Sequence, residues 1–465
     1  MKLKITFAFA LVLSLTFINA QDFNLTPNGG EFIFNPSKSP CLTSEERESI
    51  IQELKTNVKN LKLQNKLKFS SSAKRGSHIL FTWPLQKAAG VNYNEIYGIS
   101  GYVDHNTSYP NQLTDFNCGP KTYDTNSGYN HQGTDYFTWP FGWKMMDNDE
   151  VEIVAAASGQ IIGKGDGQYD RSCSFNSNTW NAVYVQHSDG SIAWYGHMKN
   201  GSTTSKNVGD TVSEGEYLGI VGSSGNSTGP HLHFEVYEDN TYTQLIDPYT
   251  GSCNSMNPDS WWQSQKPYIN PGINAVLTHN APPVFPTCPT AETTNESNQF
   301  SIGDIVYTAL FLKDQIPSTT VNLRVIKPDN TDLNNWDFNL TANYNASWWY
   351  WSFYPNIEGE WKWEATYEGE TVTHTFNVGT LSDNSYDLED MSIFPNPTSN
   401  FLNISSKVKI VDAHLVDALG KSVIKINNSP QGIEKLDLSE LSQGIYFLTV
   451  ESENLKRKTV KIIKK

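Results

Sequence analysis

Short runs of alternating apolar and polar residues, broken by Asn, Gly, Ser and Asp, recur along most of the chain, and they predict β-strands rather than helices. The stretch GPHLHFEVY, residues 229–237, is one such strand. Side chains two apart on a strand share a face, so His231 and His233 lie side by side while Leu232 and Phe234 point the other way. NAVYVQHSDGSIAWYGHM predicts a hairpin closed at Asp189-Gly190, and VEIVAAASGQIIGKG predicts two short strands about a Ser-Gly turn. EYLGIVGSSGNSTGPHLHFEVY reads as a strand, a glycine-rich loop and the histidine-bearing strand. A helix period shows in SEERESIIQELKTNVKNLKLQ, where Ile50, Ile51, Leu54, Val58 and Leu61 line one face and Thr43 or Ser44 is placed to cap it. That helix is read as a packing element, with a pro-segment covering an active site as the other reading.

The chain has 465 residues, too many for one core, and divides by composition into several parts. MKLKITFAFALVLSLTFINA, residues 1–20, has the lysine head, apolar core and small terminal residue of a secretory signal. Its apolar core is too short to span a bilayer, and the sequence offers no second candidate span. Residues 21–75 form the helix-containing N-terminal segment and residues 76–287 the richest strand-and-turn region. PTAETTNES is a linker, residues 298–380 a small sandwich, LSDNSYDLED a polar hinge, and residues 388–465 a last small sandwich. In 298–380 the clusters ASWWYWSFYP and EGEWKWEATY put Trp361 and Trp363 on one strand face, read as core in preference to a sugar-stacking platform.

Export permits disulfides, and the five cysteines (41, 118, 173, 253 and 288) allow two bridges and one leftover thiol. No CxxC spacing suggests zinc-thiolate binding, so these residues are read as structural. A net charge of −15 disfavours nucleic acid and anionic membranes as partners, and mildly favours protein or peptide over anionic cell wall as substrate. NLKRKTVKIIKK at the C-terminus is the basic exception, read as the solvated face of a final strand.

Of ten histidines, His78, His105, His279, His374 and His414 stand alone in sequence, and His187 sits beside a turn, so all six are read as structural. His131 and Asp135 form HQGTD, with Gly133 letting the backbone bend between them. His197 ends AWYGHM. Two imidazoles and a carboxylate make a ligand set for catalytic zinc, which takes three protein ligands and leaves one position open. His131, Asp135 and one of the pair His231/His233 supply that set. The remaining ring of the pair is placed to take a proton from activated water, and His197 to donate to the oxyanion or relay a proton. No HExxH helix offers a glutamate base.

HQGTD, YGHM and GSSGNSTGPHLHFEV together resemble the M23 peptidases, the lysostaphin and LytM group of zinc endopeptidases. The likeness covers about residues 76–285. It implies an antiparallel β-sheet crossed by a groove, zinc held by His131, Asp135 and His233, and His231 and His197 as the catalytic pair. Tyr195, two before His197 on the same strand face, is a weaker candidate to assist. The resemblance implies cleavage of peptide bonds in bacterial cell-wall cross-links or in glycine-rich extracellular proteins. Some members are latent, with an upstream segment over the metal; no residue in 21–130 singles itself out as such a plug. FPNP at 394–397, GIYFLTV at 444–450 and the lysine-rich end resemble a type IX secretion sorting domain. That likeness implies passage through the outer membrane by that machinery and release or retention at the cell surface. The whole is therefore expected to be mainly β: an antiparallel-sheet peptidase followed by two small sandwiches. The alternative is a non-enzymatic surface-binding protein that uses the aromatic stretch Trp348–Trp363.

Overall fold

A computed structural model describes residues 23–34, 38–69, 78–285, 292–379, 391–418, 420–426, 429–453 and 457–465. The expected signal 1–20, the hinge 381–390 and Cys288 lie outside these residues. The chain forms two compact units, Met1–Val378 and Gly379–Lys465. Among the described residues no helix is long and apolar enough to cross a membrane. The architecture is mainly β.

The first unit is built on an eight-stranded antiparallel sheet. Its strands run Tyr97–Gly101, Thr134–Thr138, His231–Tyr237, Ile192–Gly196, Ala182–His187, Gly159–Gly165 and Thr211–Val212, with Leu245–Ile246 added beside His231–Tyr237. The Asp189-Gly190 turn closes the expected hairpin, Gly190 sitting at φ 97° where a side chain is disfavoured. The two strands of VEIVAAASGQIIGKG belong to different sheets. Val151–Val154 pairs with Leu85–Lys87 and Tyr217–Ile220, while Gly159–Gly165 joins the large sheet.

Strict alternation gives the large sheet two faces with different fates. Leu232, Phe234, Val236, Val183, Val185, Ala193 and Tyr195 enter the main core. On the other face Ile162, Tyr184, Trp194 and Tyr237 pack under the helix Ser44–Leu63, which buries Leu54, Val58 and Leu61 there. Thr43 caps that helix in a reciprocal capping box with Glu46, the arrangement that satisfies two orphan amides at once.

Residues 298–378 contribute most of a second, sandwich-like body in the same unit. Its four-stranded sheet contains Gly272–His279, Val306–Gln315, Tyr344–Phe353 and Asn24–Glu31. Gly272–His279 thus pairs with a sandwich strand although it falls inside the 76–287 region. One face of this sheet (Ile273, Leu310, Leu312, Trp351) packs on the five-stranded partner sheet, and the other (Ala275, Phe311, Ala346) on the main core. The N-terminal strand Asn24–Glu31 is an added edge strand beside Tyr344–Phe353. Trp361 and Trp363 are fully buried between the sandwich sheets, as core.

The second unit is a separate small sandwich with sheets of three and four strands around Leu402, Leu415, Leu448, Val450 and Ile462. The basic C-terminal stretch contains its last strand, Arg457–Lys464.

Candidate functional site

Strand register brings the candidate residues together. His233 lies opposite Asp135 on one neighbour and Gly196 on the other, so the segments bearing Asp135 and His197 flank the histidine strand. His131 precedes the strand Thr134–Thr138 and turns back towards Asp135, its Nε2 3.1 Å from Asp135 Oδ2 without forming a hydrogen bond. Gly133 earns its place sterically: a Cβ there would stand 2.7 Å from His233 Nε2 and from the Phe234 carbonyl oxygen. Its backbone is not in the left-handed region, so room for the ring, rather than a bend, is what glycine supplies.

Backbone carbonyls fix the tautomers of three rings. His131 Nδ1 donates to the Tyr102 carbonyl at 2.7 Å, His197 Nδ1 to Ser224 at 2.6 Å, and His231 Nδ1 to Gly229 at 2.8 Å. A carbonyl can only accept, so each Nδ1 carries hydrogen in these contacts and a neutral ring keeps its lone pair on Nε2. Two of these carbonyls come from the glycine-rich loop before the histidine strand, which explains why the loop and the strand are adjacent in sequence.

His233 is held differently. Its Nδ1 is 2.8 Å from Asp135 Oδ1 and its Nε2 is 3.1 Å from Glu235 Oε2. Burial opposes charge on this ring, but the Cys41 thiol, Asp135 and Glu235 hold its pKa well above the ordinary value. Burial likewise works against Asp135, yet His131 first and His233 with it keep its carboxyl well below the usual range. His197 is pushed down by burial and then by His231, whose ring centroid is 4.3 Å away. Glu235 is in turn ion-paired to Arg47, on the helix Ser44–Leu63, which also donates to the Tyr237 hydroxyl at 2.8 Å.

His131, Asp135, His197, His231 and His233 therefore converge on one cluster, all of them buried. Tyr195 does not join them. It points into the opposite, apolar face, where its hydroxyl accepts from the Ala156 amide at 2.9 Å. The expected alternation fails because His197 has φ 63°, which turns the chain just past Gly196 and swings the imidazole to the other side.

Sequence reading missed two members of this cluster. Glu235 follows His233 by two on the same strand face, so HLHFE carried the signal. Cys41, read as structural, is a free, buried thiol. Its Sγ is 3.6 Å from His233 Nδ1 and 3.3 Å from the Tyr123 hydroxyl. Cys118 and Cys253 form a disulfide, and Cys173 is also disulfide-bonded, so Cys41 is the leftover that an odd count requires.

The donor set suits a divalent metal. One ligand atom from each of Cys41, His131, Asp135 and His233 lies within 4.8 Å of all the others, and the same holds for Cys41, His197 and His231. His131 Nε2 and His197 Nε2 are buried without hydrogen-bond partners, which is costly unless something occupies the space they face. Neutral imidazole nitrogens, a carboxylate and a thiol are ligands that zinc accepts.

Residues 131–248 match the family model for Peptidase family M23, and residues 392–465 match the secretion system C-terminal sorting domain. The peptidoglycan DD-endopeptidase ShyC of Vibrio cholerae serotype O1 is 33% identical over 105 residues, covering 23% of this chain and 19% of that protein. The glycyl-glycine endopeptidase ALE-1 of Staphylococcus capitis is 31% identical over 133 residues, covering 28% of this chain and 31% of that protein. The solved catalytic domain of the antimicrobial peptidase lysostaphin from Staphylococcus simulans is 27% identical, covers 35% of this chain and 96% of that chain, and has a TM-score of 0.20. The matches to these two curated relatives span less than a third of their own length. The chain carries an M23 peptidase domain and a type IX sorting domain.

Proposed function

We propose that this chain is an exported zinc endopeptidase, with His131, Asp135 and His233 holding the ion and His231 and His197 handling protons. The observation that carries this reading is the convergence of five buried donor groups from three separated segments, two of them with nitrogens that make no hydrogen bond. Bound zinc would supply Lewis acidity, polarising the scissile carbonyl and making water more acidic. Glu235 orients His233 by accepting from Nε2, which leaves the Nδ1 lone pair, on the Asp135 side of the ring, to hold the ion together with that carboxylate. His231, its Nδ1–H tied to Gly229, accepts the proton of the attacking water at Nε2 and returns it to the departing amine. His197, tied to Ser224, points the same kind of lone pair at the same space and, once protonated, donates to the developing oxyanion. Burial and then the neighbouring His231 ring disfavour a resting proton on His197, so its Nε2 lone pair is available before substrate arrives.

The substrate class is a peptide bond in peptidoglycan cross-links or in glycine-rich extracellular protein; the names of the two curated relatives, a peptidoglycan DD-endopeptidase and a glycyl-glycine endopeptidase, support cell-wall and glycyl bonds. The expected signal and the sorting domain support a protein that crosses the outer membrane and acts outside the cell or at its surface. The alternative of an aromatic binding platform loses Trp361 and Trp363, which are wholly enclosed, and is left with the partly exposed Trp348, Trp349 and Tyr350.

The test is to digest purified peptidoglycan and a glycine-rich fibrous protein in parallel, using the full chain with Cys41→Ala so that the thiol is out of the way. New amino termini that disappear with chelator and return with zinc are the expected outcome. Zinc bound in stoichiometric amount with no cleavage of either polymer would reject the endopeptidase reading.

A further inference from the structure

We propose that Cys41 is a fourth ligand to the metal in the full-length chain, and that the segment carrying it holds the peptidase latent. This rests on the metal-site reading above and deepens it.

The site as it stands admits no substrate. All five candidate residues are at most 4% exposed, and a polypeptide cannot reach groups so enclosed. What encloses them is the chain's own N-terminal segment. Phe32 stacks on Trp139 at 4.3 Å, and Phe34 stacks on Phe137 at 4.9 Å and meets the His231 ring edge-on at 5.6 Å. Further along, Asn226 of the glycine-rich loop donates to the Ser39 hydroxyl and, at 2.6 Å, to the Pro40 carbonyl. Cys41 and Leu42 then bury themselves, and the capped helix Ser44–Leu63 follows, clamped by Arg47 on Glu235. The segment is thus fixed on both sides of the thiol, by the edge strand Asn24–Glu31 before it and the helix after it.

A buried free cysteine is most often a small apolar filler. Cys41 belongs to the apolar cluster under the helix, but its sulfur does more than fill space there: it lies within ligand reach of four imidazoles and a carboxylate, and 3.3 Å from the Tyr123 hydroxyl. Its spacing suits a shared ion instead. A sulfur and a nitrogen on one tetrahedral zinc, at bond lengths of about 2.3 and 2.0 Å, stand about 3.5 Å apart. Cys41 Sγ and His233 Nδ1 are 3.6 Å apart. Three protein ligands leave the position that a catalytic site needs, whereas a fourth makes the closed arrangement typical of structural zinc. Cys41 converts one into the other, and a helix that sequence alone reads as packing becomes the clamp that keeps the thiol in place.

Cobalt substitution of the full chain separates the possibilities, because a thiolate on cobalt adds a near-ultraviolet charge-transfer band that nitrogen and oxygen ligands lack. Native chain loaded with cobalt is expected to show the band. Cys41→Ala and Cys41→Ser are expected to lose it while still binding one cobalt. Zinc-loaded Cys41→Ala is also expected to cleave substrate roughly 10- to 1,000-fold faster than the native full chain, the reciprocal of a minor open population. Cobalt bound to the native chain without the band, or a band that survives Cys41→Ala, would overturn the ligand assignment and leave the three-ligand site standing. Loss of the band without any gain in cleavage, in a variant that cleaves at all, would overturn latency. Failure of native and variant chains alike to bind cobalt or zinc would sink the metal site itself, and this inference with it.

Discussion

Two strands of this molecule carry a pair of rings at the same spacing and bury both. His231 and His233 lie on the large sheet, Trp361 and Trp363 on the sandwich, and each pair shares one face of its strand. Burial therefore does not tell a site from a core. The difference lies in what the ring nitrogens meet. Trp363 Nε1 donates to the Ala309 carbonyl at 2.9 Å and Trp361 Nε1 to Ile357 at 3.0 Å, which leaves those rings no polar business beyond packing. The histidine face gathers lone pairs and a carboxylate from other segments around one small volume. An unsatisfied nitrogen alone does not mark the site either, since Trp351 Nε1 in the sandwich core also lacks a partner; what distinguishes the site is that several ligand-type atoms face one common volume.

The harshest way to break the comparison is to remove a ligand. His131→Ala or Asp135→Ala in the Cys41→Ala chain is expected to abolish stoichiometric zinc and to take cleavage below detection, as measured by metal analysis and by release of new amino termini. Zinc should also raise the melting temperature of the parent, since it binds only the folded cluster, and that rise should vanish in either variant. Retention of full metal content in Asp135→Ala would remove Asp135 from the ligand set.

Next in size is the base. His231→Ala in the same background is expected to keep its zinc and lose on the order of 10²- to 10⁴-fold in turnover, the range for a lost acid–base group. Besides the Gly229 carbonyl the ring has one long side-chain contact, 3.4 Å to the Ser227 hydroxyl, which keeps Ser223 and Gly229 as partners when the imidazole is removed. Unchanged turnover with unchanged metal would exclude the assigned role.

Much of this was legible in the sequence because the relevant periodicity is local. Strand alternation placed His231 beside His233, the Asp-Gly turn closed the hairpin, and the Thr43 cap and apolar stripe marked the helix. What failed were features set by backbone torsions or by distant chain. Alternation put Tyr195 on the face of His197, but the positive φ at His197 breaks the count. Val151–Val154 and Gly159–Gly165 have strand composition, yet composition cannot say that they join different sheets. Cys41 lies 90 residues before His131 in sequence, and only the tertiary path of the N-terminal segment makes them neighbours. The odd cysteine count announced a leftover thiol without saying which residue it was.

The core side of the comparison has its own test. Trp363→Ala is expected to cost about 3–5 kcal/mol of folding stability, as for a large aromatic removed from a packed interior, and to leave the Ala309 carbonyl without its indole donor. Zinc stoichiometry of the folded variant should be unchanged. Denaturant unfolding and metal analysis on the same sample check both parts, and a change of less than 1 kcal/mol would mean that the sandwich relaxes around the gap.

His279 is the intermediate case and sharpens the distinction by the smallest expected effect. It is fully buried, donates from Nδ1 to the Thr294 carbonyl at 2.8 Å, and leaves Nε2 without a partner, as His131 and His197 do. Unlike them it stands in no ligand cluster among the described residues, so its cost shows as lost basicity. Burial pushes its pKa down to about 4, against which the Thr294 carbonyl and Glu296 pull only weakly. In the unfolded chain an imidazole takes a proton near pH 6.5. Between those values the unfolded state binds more protons, so stability rises with pH there; the contribution is intact above about 6.5 and drains away as pH falls to 4. The full swing is at most about 3 kcal/mol. Glu292, whose carboxyl burial raises to about 7, tilts the curve the other way, so the native chain alone is not the test. The informative quantity is the difference between the native chain and His279→Asn, which keeps a donor for Thr294, in urea unfolding at pH 4.5 and 7.5. The variant is expected to lose less stability than the native chain on acidification; equal losses would show that this buried imidazole already carries its proton in the folded state.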